Sequence, residues 1–253
     1  MTSYVKPLVA LMGNPNCGKT TLFNQLTGLR KKTGNWSGVT VDSQYCAVNF
    51  NDLAYDLVDL PGIYALSIES QGQDESHVQE FLQNQKPDLI INVINTVSLE
   101  RDLFLTLELM DFGVEVIIIL NMWDEAQIKN LKIDTVELAS ILKGEVIPMV
   151  AKTGIGVDKL KNQINDKLRK NVQAEESQTQ KTKPYKTRYQ KKENNEENIF
   201  ANRLKLAQKI GKNVLSQPAI TTYQSNNSKL DLLTTHPVLG IVSFLVAMYV
   251  MFF

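Results

Sequence analysis

Two kinds of apolar pattern alternate along the first two-thirds of the chain. Residues 7–12, 41–50, 53–59, 88–94, 114–121 and 146–151 read as strands. Of these, 88–94 and 114–121 are almost unbroken Leu/Ile/Val, as expected for strands covered on both faces. Residues 19–28, 75–86, 99–112, 134–143 and 156–170 read as helices. Asn51-Asp52 is a tight-turn signal between the second and third strands, which therefore pair antiparallel. The other connections are long enough for right-handed crossovers. The expected fold is α/β: a six-stranded, mostly parallel sheet with helices on both faces, closed within residues 1–170. That length is ample for one self-sufficient core, and no internal repeat is visible.

The pattern changes after 170. Residues 174–198 are mainly Gln, Lys, Glu, Asn and Thr, with Tyr185 and Tyr189 among the few anchors, so 171–198 is expected to be a polar, flexible linker or a loose helix. Helical periodicity returns over 199–215. Phe200, Leu204, Ala207 and Val214 share one face, while Arg203, Lys205, Lys209 and Lys212 supply charge. Two placements follow, on an anionic membrane surface or packed against the preceding domain or a neighbouring helix. Residues 199–235 are thus a short helical juxtamembrane segment. Residues 238–253, after His236-Pro237, carry no charge. Sixteen helical residues span about 24 Å against a hydrocarbon core of about 30 Å. Residues 236–253 are therefore expected to begin a transmembrane helix cut short, in a fragment of a longer membrane protein.

Composition narrows this little. The 253 residues hold 27 basic and 27 acidic side chains, so net charge argues for no polyanionic partner and no nucleic acid is expected. The balance is uneven, with 16 Lys/Arg against 21 Asp/Glu in residues 1–170 and 11 against 6 in residues 171–235. Cys17 and Cys46 are too few for a disulfide framework and fit free thiols in a reducing cytosol. Residues 1–6 lack the apolar core of a signal peptide.

The candidate chemistry lies at strand ends. Gly13-Asn14-Pro15-Asn16-Cys17-Gly18-Lys19-Thr20, followed by Thr21, closes the first strand and opens the first helix. Its glycines let successive N–H groups face phosphate oxygens, Lys19 brings a mobile charge to the terminal phosphates, and the Thr20 hydroxyl can complete a magnesium shell. The helix start adds its positive dipole end. Asp59-Leu60-Pro61-Gly62 closes another strand; there a carboxylate reaches magnesium through water and the Gly62 N–H is available to a γ-phosphate. Thr40, in Gly38-Val39-Thr40-Val41, can give its hydroxyl to magnesium while the γ-phosphate is present. Asn121-Met122-Trp123-Asp124 ends the most apolar strand, and its carboxylate can accept both N–H groups of a guanine edge, which adenine does not offer. Ala151-Lys152 follows the last strand and can offer a backbone N–H to the guanine carbonyl. These five elements in this order predict a magnesium-dependent domain that binds GTP and GDP and hydrolyses GTP to GDP and phosphate.

The same segments, Gly-Asn-Pro-Asn-Cys-Gly-Lys-Thr-Thr-Leu-Phe-Asn, Thr-Gly-Asn-Trp-Ser-Gly-Val-Thr-Val-Asp, Asp-Leu-Pro-Gly-Ile-Tyr and Asn-Met-Trp-Asp, resemble the N-terminal GTPase domain of the FeoB ferrous iron transporters. The likeness covers residues 6–170, and 225–253 through Leu230-Asp231 and Thr235-His236-Pro237. It implies a Ras-like P-loop fold on the cytosolic side of a bacterial inner membrane, joined to a polytopic domain that carries Fe(II); a homo-oligomer stays open. Family members place a helical domain with an influence on nucleotide release between the two parts. Here 171–235 looks short and polar, and no such role is carried over. Where many GTPases use a glutamine after Asp-x-x-Gly to orient water, this chain has Ile63. Arg30 is a remaining candidate for an arginine finger. The resemblance implies another route, a potassium ion beside the phosphates, with Asn16 supplying a side-chain oxygen and Gly34-Asn35-Trp36 folding over it. Lys19, Thr40, Gly62 and Asn16 are then the catalytic set. Asn16 as a turn-stabilising amide and Trp36 as a plain loop anchor are equally open. The competing function is a membrane-tethered regulatory or RNA-associated GTPase switch without transport; an ATPase is disfavoured by Asn121 and Asp124. His77 is expected to face solvent, the 193–197 acidic run to be a solvated face, and the acceptor-like Asn35-Trp36-Ser37 and Asn226-Asn227-Ser228 to carry no glycan in a cytosolic setting.

Overall fold

The computed structural model of the chain describes residues 6–28, 34–35, 44–50, 53–66, 72–177, 196–216, 248–249 and 251–252. The chain divides into two units, Met1–Ser216 and Gln217–Phe253. In the first, the elements run β1 (Leu8–Gly13), α1 (Lys19–Thr27), β2 (Gly34–Asn35), β3 (Gln44–Phe50), β4 (Leu53–Asp59) and α2 (Gln73–Gln85). They continue with β5 (Leu89–Asn95), a 3₁₀ turn (Thr96–Ser98), α3 (Leu99–Asp111), β6 (Val116–Asn121), α4 (Trp123–Ile128) and β7 (Lys132–Ile133). The last are α5 (Thr135–Leu142), β8 (Glu145–Pro148), α6 (Val157–Ser177), α7 (Glu196–Val214) and β9 (Leu215–Ser216).

All six expected strands join one sheet in the order β2-β3-β4-β1-β5-β6-β8, with β2 as a two-residue seventh strand at the edge. The β3–β4 and β2–β3 pairs are antiparallel and the remaining pairs parallel. Successive side chains of the inner strands enter opposite cores, as the strand period of two requires. Leu8, Ala10 and Met12 of β1 join Ile90, Ile94, Val116, Ile118 and Leu120 beneath α2, α3, α5 and α7. Val9 and Leu11 join Leu89, Ile91, Val93, Ile117 and Ile119 beneath α1 and α6. Each of the Leu, Ile, Val and Met side chains among them, once buried, contributes about 1.5–3 kcal/mol. Because β4 lies on one side of β1 and β5 on the other, the carboxyl end of β1 opens at the point where strand order reverses, the usual ligand position in open α/β sheets.

Beyond 170, where a flexible linker or a loose helix was expected, both ends of the segment are helical. Helix α6 runs on to Ser177, and α7 begins at Glu196. Of the two placements open for the 199–215 helix, packing against the nucleotide domain is the one observed. Ala207, Ile210 and Val214 are buried in the sheet's first core, and the Phe200 ring lies 4.7 Å from that of Phe104 on α3. The close approach needs a glycine, since a Cβ at Gly211 would overlap the Glu100 side chain. Leu204, expected on the inner face, is exposed. Its place is taken by Arg203, whose guanidinium bonds Asp111 and, at 3.4 Å, the fully buried carboxylate of Glu108. After α7, β9 pairs antiparallel with β7, and the Asp134 N–H donates to the Val214 carbonyl at 3.1 Å.

In the second unit, residues 248–249 and 251–252 are helical and exposed. The rest of the 236–253 segment lies outside the described residues, as do the Asn51-Asp52 turn and the 193–195 part of the acidic run. Among the described residues no helix is long and apolar enough to cross a membrane.

Candidate functional site

The phosphate-loop motif folds as a tight backbone cup between β1 and α1. Gly13 and Gly18 are required by close approach. A Cβ at Gly13 would overlap the Val93 carbonyl, and one at Gly18, where φ is +89°, would overlap the Asn121 amide. Cys17 is buried in the second core, and burial pushes its thiol up to about 12, so the sulfur is an inert packing group at neutral pH. Asn14 is buried with its Nδ2 lacking a hydrogen-bond partner among the described residues. Asn16 stands exposed on the rim in the left-handed region, φ +62°, which asparagine tolerates better than most residues. Its amide makes no hydrogen bond among the described residues, so a hydrogen-bonded, turn-stabilising amide is not what the structure shows. Helix α1 has no side-chain cap at its start, which leaves its first N–H groups and positive dipole end open to an anion.

Two backbone hydrogen bonds then seat the Asp59–Gly62 stretch on this cup. The Leu60 N–H donates to the Leu11 carbonyl at 3.1 Å and the Ile63 N–H to the Gly13 carbonyl at 3.3 Å. Gly62 lies flat against Pro15, where a Cβ would come within 3.1 Å of the Pro15 backbone. Ile63, in place of a water-orienting glutamine, is a core residue at 1% exposure and faces away from any reaction. As a result three chemical groups converge. Lys19 Nζ lies 2.7 Å from Asp59 Oδ1, and Thr20 Oγ1 is 3.3 Å from Asp59 Oδ2. Burial drives the Asp59 carboxyl above the usual range, while the charge and hydrogen bonds of Lys19 and the Thr20 hydroxyl pull the other way. A desolvated carboxylate beside a hydroxyl is a hard-oxygen donor set of the kind magnesium takes, and the adjacent ammonium suits a polyphosphate.

At the other end of the cup, Asn121 turns out to be a brace. Its Nδ2 donates to the Cys17 carbonyl at 2.8 Å, and its Oδ1 accepts the Ala151 N–H at 2.9 Å. Its own carbonyl accepts from the Thr96 hydroxyl. One buried amide thus ties the phosphate loop, β6 and the Ala151-Lys152 loop together. Met122 adopts the left-handed conformation, φ +59°, and turns the chain so that Asp124 falls in the first turn of α4, exposed. The Trp123 N–H closes the turn on the Met149 carbonyl at 3.2 Å. Lys152 is exposed. Helix α4 was not anticipated: it is only six residues long and begins inside the motif.

Gly34 and Asn35 pair with Tyr45 and Gln44 as strand β2 and so are not a free loop. Trp36, Gly38, Val39, Thr40 and Arg30 lie outside the described residues. His77 is partly buried, with its Nδ1 enclosed and unpartnered among the described residues, in contrast to the solvent-facing expectation. Among the described residues no group of three or more His, Cys, Asp or Glu side chains is placed to hold a metal ion. Sequence reasoning missed Glu108. It is buried on α3 and accepts the Leu66 N–H just beyond the Asp59–Gly62 stretch. A single charged position within the otherwise uncharged, mainly apolar run 103–110 was the available signal.

The comparisons with known proteins agree with this geometry. The Fe(2+) transporter FeoB of Shigella flexneri is 45% identical over 158 residues, 62% of this chain and 20% of that protein. The chain therefore spans about a fifth of the length of the curated relatives it matches. The cytosolic domain of L. pneumophila FeoB superposes with a TM-score of 0.59 at 41% identity, covering 63% of each chain. A mutant of S. thermophilus NFeoB bound to GDP superposes with a TM-score of 0.57 at 38% identity, covering 63% of this chain and 60% of that one. The sheet is thus the Ras-like sheet of FeoB G-domains, whose solved members include guanine nucleotide complexes. A family model described as Ferrous iron transport protein B matches residues 7–164, well over half of the sequence, and the chain belongs to that family.

Proposed function

We propose that this chain binds GTP with magnesium and hydrolyses it to GDP and phosphate. The observation that carries the reading is the convergence of Lys19, Thr20 and Asp59 under an uncapped helix start. In this reading the loop 13–18 and the α1 N-terminus take the phosphate oxygens, Lys19 takes the terminal phosphates, and the Gly62 N–H faces the γ-phosphate. Thr20 and Asp59 would hold magnesium, with Thr40 as a third contributor, and the ion would supply positive charge to the polyphosphate. Asp124 accepts from the guanine edge, and the backbone at Ala151-Lys152 meets the base carbonyl. Asn121, fully engaged as a brace, fixes the distance between phosphate and base ends.

Ile63 leaves the chain without a side chain there to orient water. Asn16, exposed on the loop rim and unpaired among the described residues, is the group offered to a potassium ion, together with backbone near Gly34 and Trp36. A monovalent cation held there would supply the positive charge that an arginine finger supplies elsewhere. In the whole protein, residues 1–170 act as a cytosolic GTPase at a bacterial inner membrane. Residues 171–235 lead to the first membrane helix, begun by 236–253, and nucleotide state governs Fe(II) passage through a polytopic domain. The support for that part is the naming of the relatives as Fe(2+) transporters.

Phosphate release with magnesium present should be several-fold faster in potassium than in sodium chloride, and Asn16→Ala should remove the difference. Equal rates in both salts would end the potassium assignment. No phosphate release in either would end the GTPase assignment.

A further inference from the structure

Between Leu60 and Leu66 one side chain is exposed. Leu60, Ile63, Ala65 and Leu66 are buried, Pro61 and Gly62 are half-covered, and Tyr64 stands 50% exposed two residues past Gly62. The backbone on either side is fixed, by the Ile63 N–H on the Gly13 carbonyl and by the Leu66 N–H on Glu108. A large ring with free rotation at that point would still let the neighbouring backbone rock, and with it the Gly62 N–H that the proposed function turns toward a γ-phosphate. The structure shows what restrains it. The Arg101 guanidinium lies over the Tyr64 ring, 5.5 Å from its centroid.

Arg101 is itself oriented. Its Nε donates to Asp102 Oδ1 at 2.9 Å, and the Asp102 side chain is fully buried. The other oxygen, Oδ2, accepts the Asn95 N–H at 2.9 Å at the end of β5. Asn95 is in register with Asn121 on β6, and the next residue, Thr96, holds the Asn121 carbonyl. A buried carboxylate anchored to the sheet therefore aims a surface guanidinium at one aromatic ring. The Nη groups of Arg101 make no hydrogen bond among the described residues, so the guanidinium face is given to that ring. An exposed arginine with no task would not need a buried acid to orient it.

We infer that Arg101 is a positioning residue for GTP hydrolysis: through Tyr64 it holds the Gly62 backbone in the attitude that meets the γ-phosphate. This rests on the nucleotide reading above and extends it, because Arg101 lies outside every motif that defines the site and the Asp-Leu-Pro-Gly-Ile-Tyr segment gives no partner to its tyrosine. The restraint bears on the γ-phosphate stretch and not on the GDP-binding parts, so kcat should respond and GDP affinity should not.

The test uses the whole 253-residue chain and two readouts, binding of a fluorescent GDP analogue and steady-state phosphate release with magnesium and potassium. Arg101→Ala and Tyr64→Ala should each lower kcat by about threefold to fivefold, the scale of an exposed cation–aromatic contact, with GDP affinity and the KM for GTP within about twofold of the parent. Tyr64→Phe keeps the ring and should bring kcat back near the parent value. Arg101→Lys keeps the charge without the planar fork and should fall between. The double alanine variant should lose no more than either single one. Unchanged kcat in Arg101→Ala, multiplied losses in the double variant, or Tyr64→Phe as slow as Tyr64→Ala would each overturn the inference. Failure of the unmodified chain to bind the GDP analogue is a different result and would sink the nucleotide reading itself.

Discussion

The two ends of the site are built on different principles. At the proposed phosphate end the backbone is held by close packing: Gly13 and Gly18 sit where a methyl group would collide, Gly62 where one would be tightly crowded, and Lys19 and Asp59 retain 11% and 7% side-chain exposure. At the base end, the residue assigned to recognition, Asp124, is an exposed side chain in the first turn of a six-residue helix. Between them stands Asn121, buried and hydrogen-bonded to both the Cys17 carbonyl and the Ala151 N–H. On the proposed reading, affinity for a polyphosphate is woven into the fold, whereas choice of base hangs on a side chain the fold does not need. The two should separate under mutation.

The largest effect should come from the phosphate end. Lys19→Ala removes the mobile cation of the cup and leaves Asp59 desolvated beside it, and GDP affinity should fall on the order of a hundredfold or more. A titration with a fluorescent GDP analogue measures it; retention of parental affinity would mean the loop is not the phosphate site. At the base end, Asp124→Asn should cost at least about tenfold in preference for GTP over a xanthine or adenine nucleotide in competition. Because Asp124 is exposed, the stability of that variant should stay within about 0.5 kcal/mol of the parent's, read as a nearly unchanged melting temperature. A variant that melted early yet kept its selectivity would invert the comparison. Asn121→Ala sharpens it from the middle. It strands a buried carbonyl and a buried N–H, which should cost about 2–4 kcal/mol in denaturant unfolding without nucleotide. A neutral result would show that the brace matters only when base is bound.

This contrast also explains what could be read from the chain directly. The proposed phosphate end was legible as a motif because its chemistry needs glycines and a lysine at fixed spacing, and because those glycines follow the apolar run of β1. The six strands and the two cores follow from runs of that kind. The bracing role of Asn121 was not legible, since its two partners are a loop carbonyl 104 residues away and an N–H 30 residues away. Helix α4 is too short for periodicity to register, and β7 and β9 are two-residue pairings made by tertiary contact. The 199–215 helix was recognisable as a helix but not its docking. Its inner face is set by Gly211 against Glu100 and by Arg203 reaching Glu108, not by the position of Leu204. The Arg101–Tyr64 contact was invisible for a similar reason: Arg101 belongs to no motif, Tyr64 ends the Asp-Leu-Pro-Gly-Ile-Tyr segment without naming a partner, and their meeting depends on α3 lying against the stretch that follows Asp59.

The most direct test of the central claim is equilibrium binding of a labelled guanine nucleotide to the purified chain with magnesium supplied. Saturable uptake that is displaced by unlabelled GDP or GTP, and not by ATP at the same concentration, is the predicted result. Absence of uptake, or displacement by ATP as readily as by GTP, would contradict the assignment of Lys19, Asp59 and Asp124 to a guanine nucleotide site.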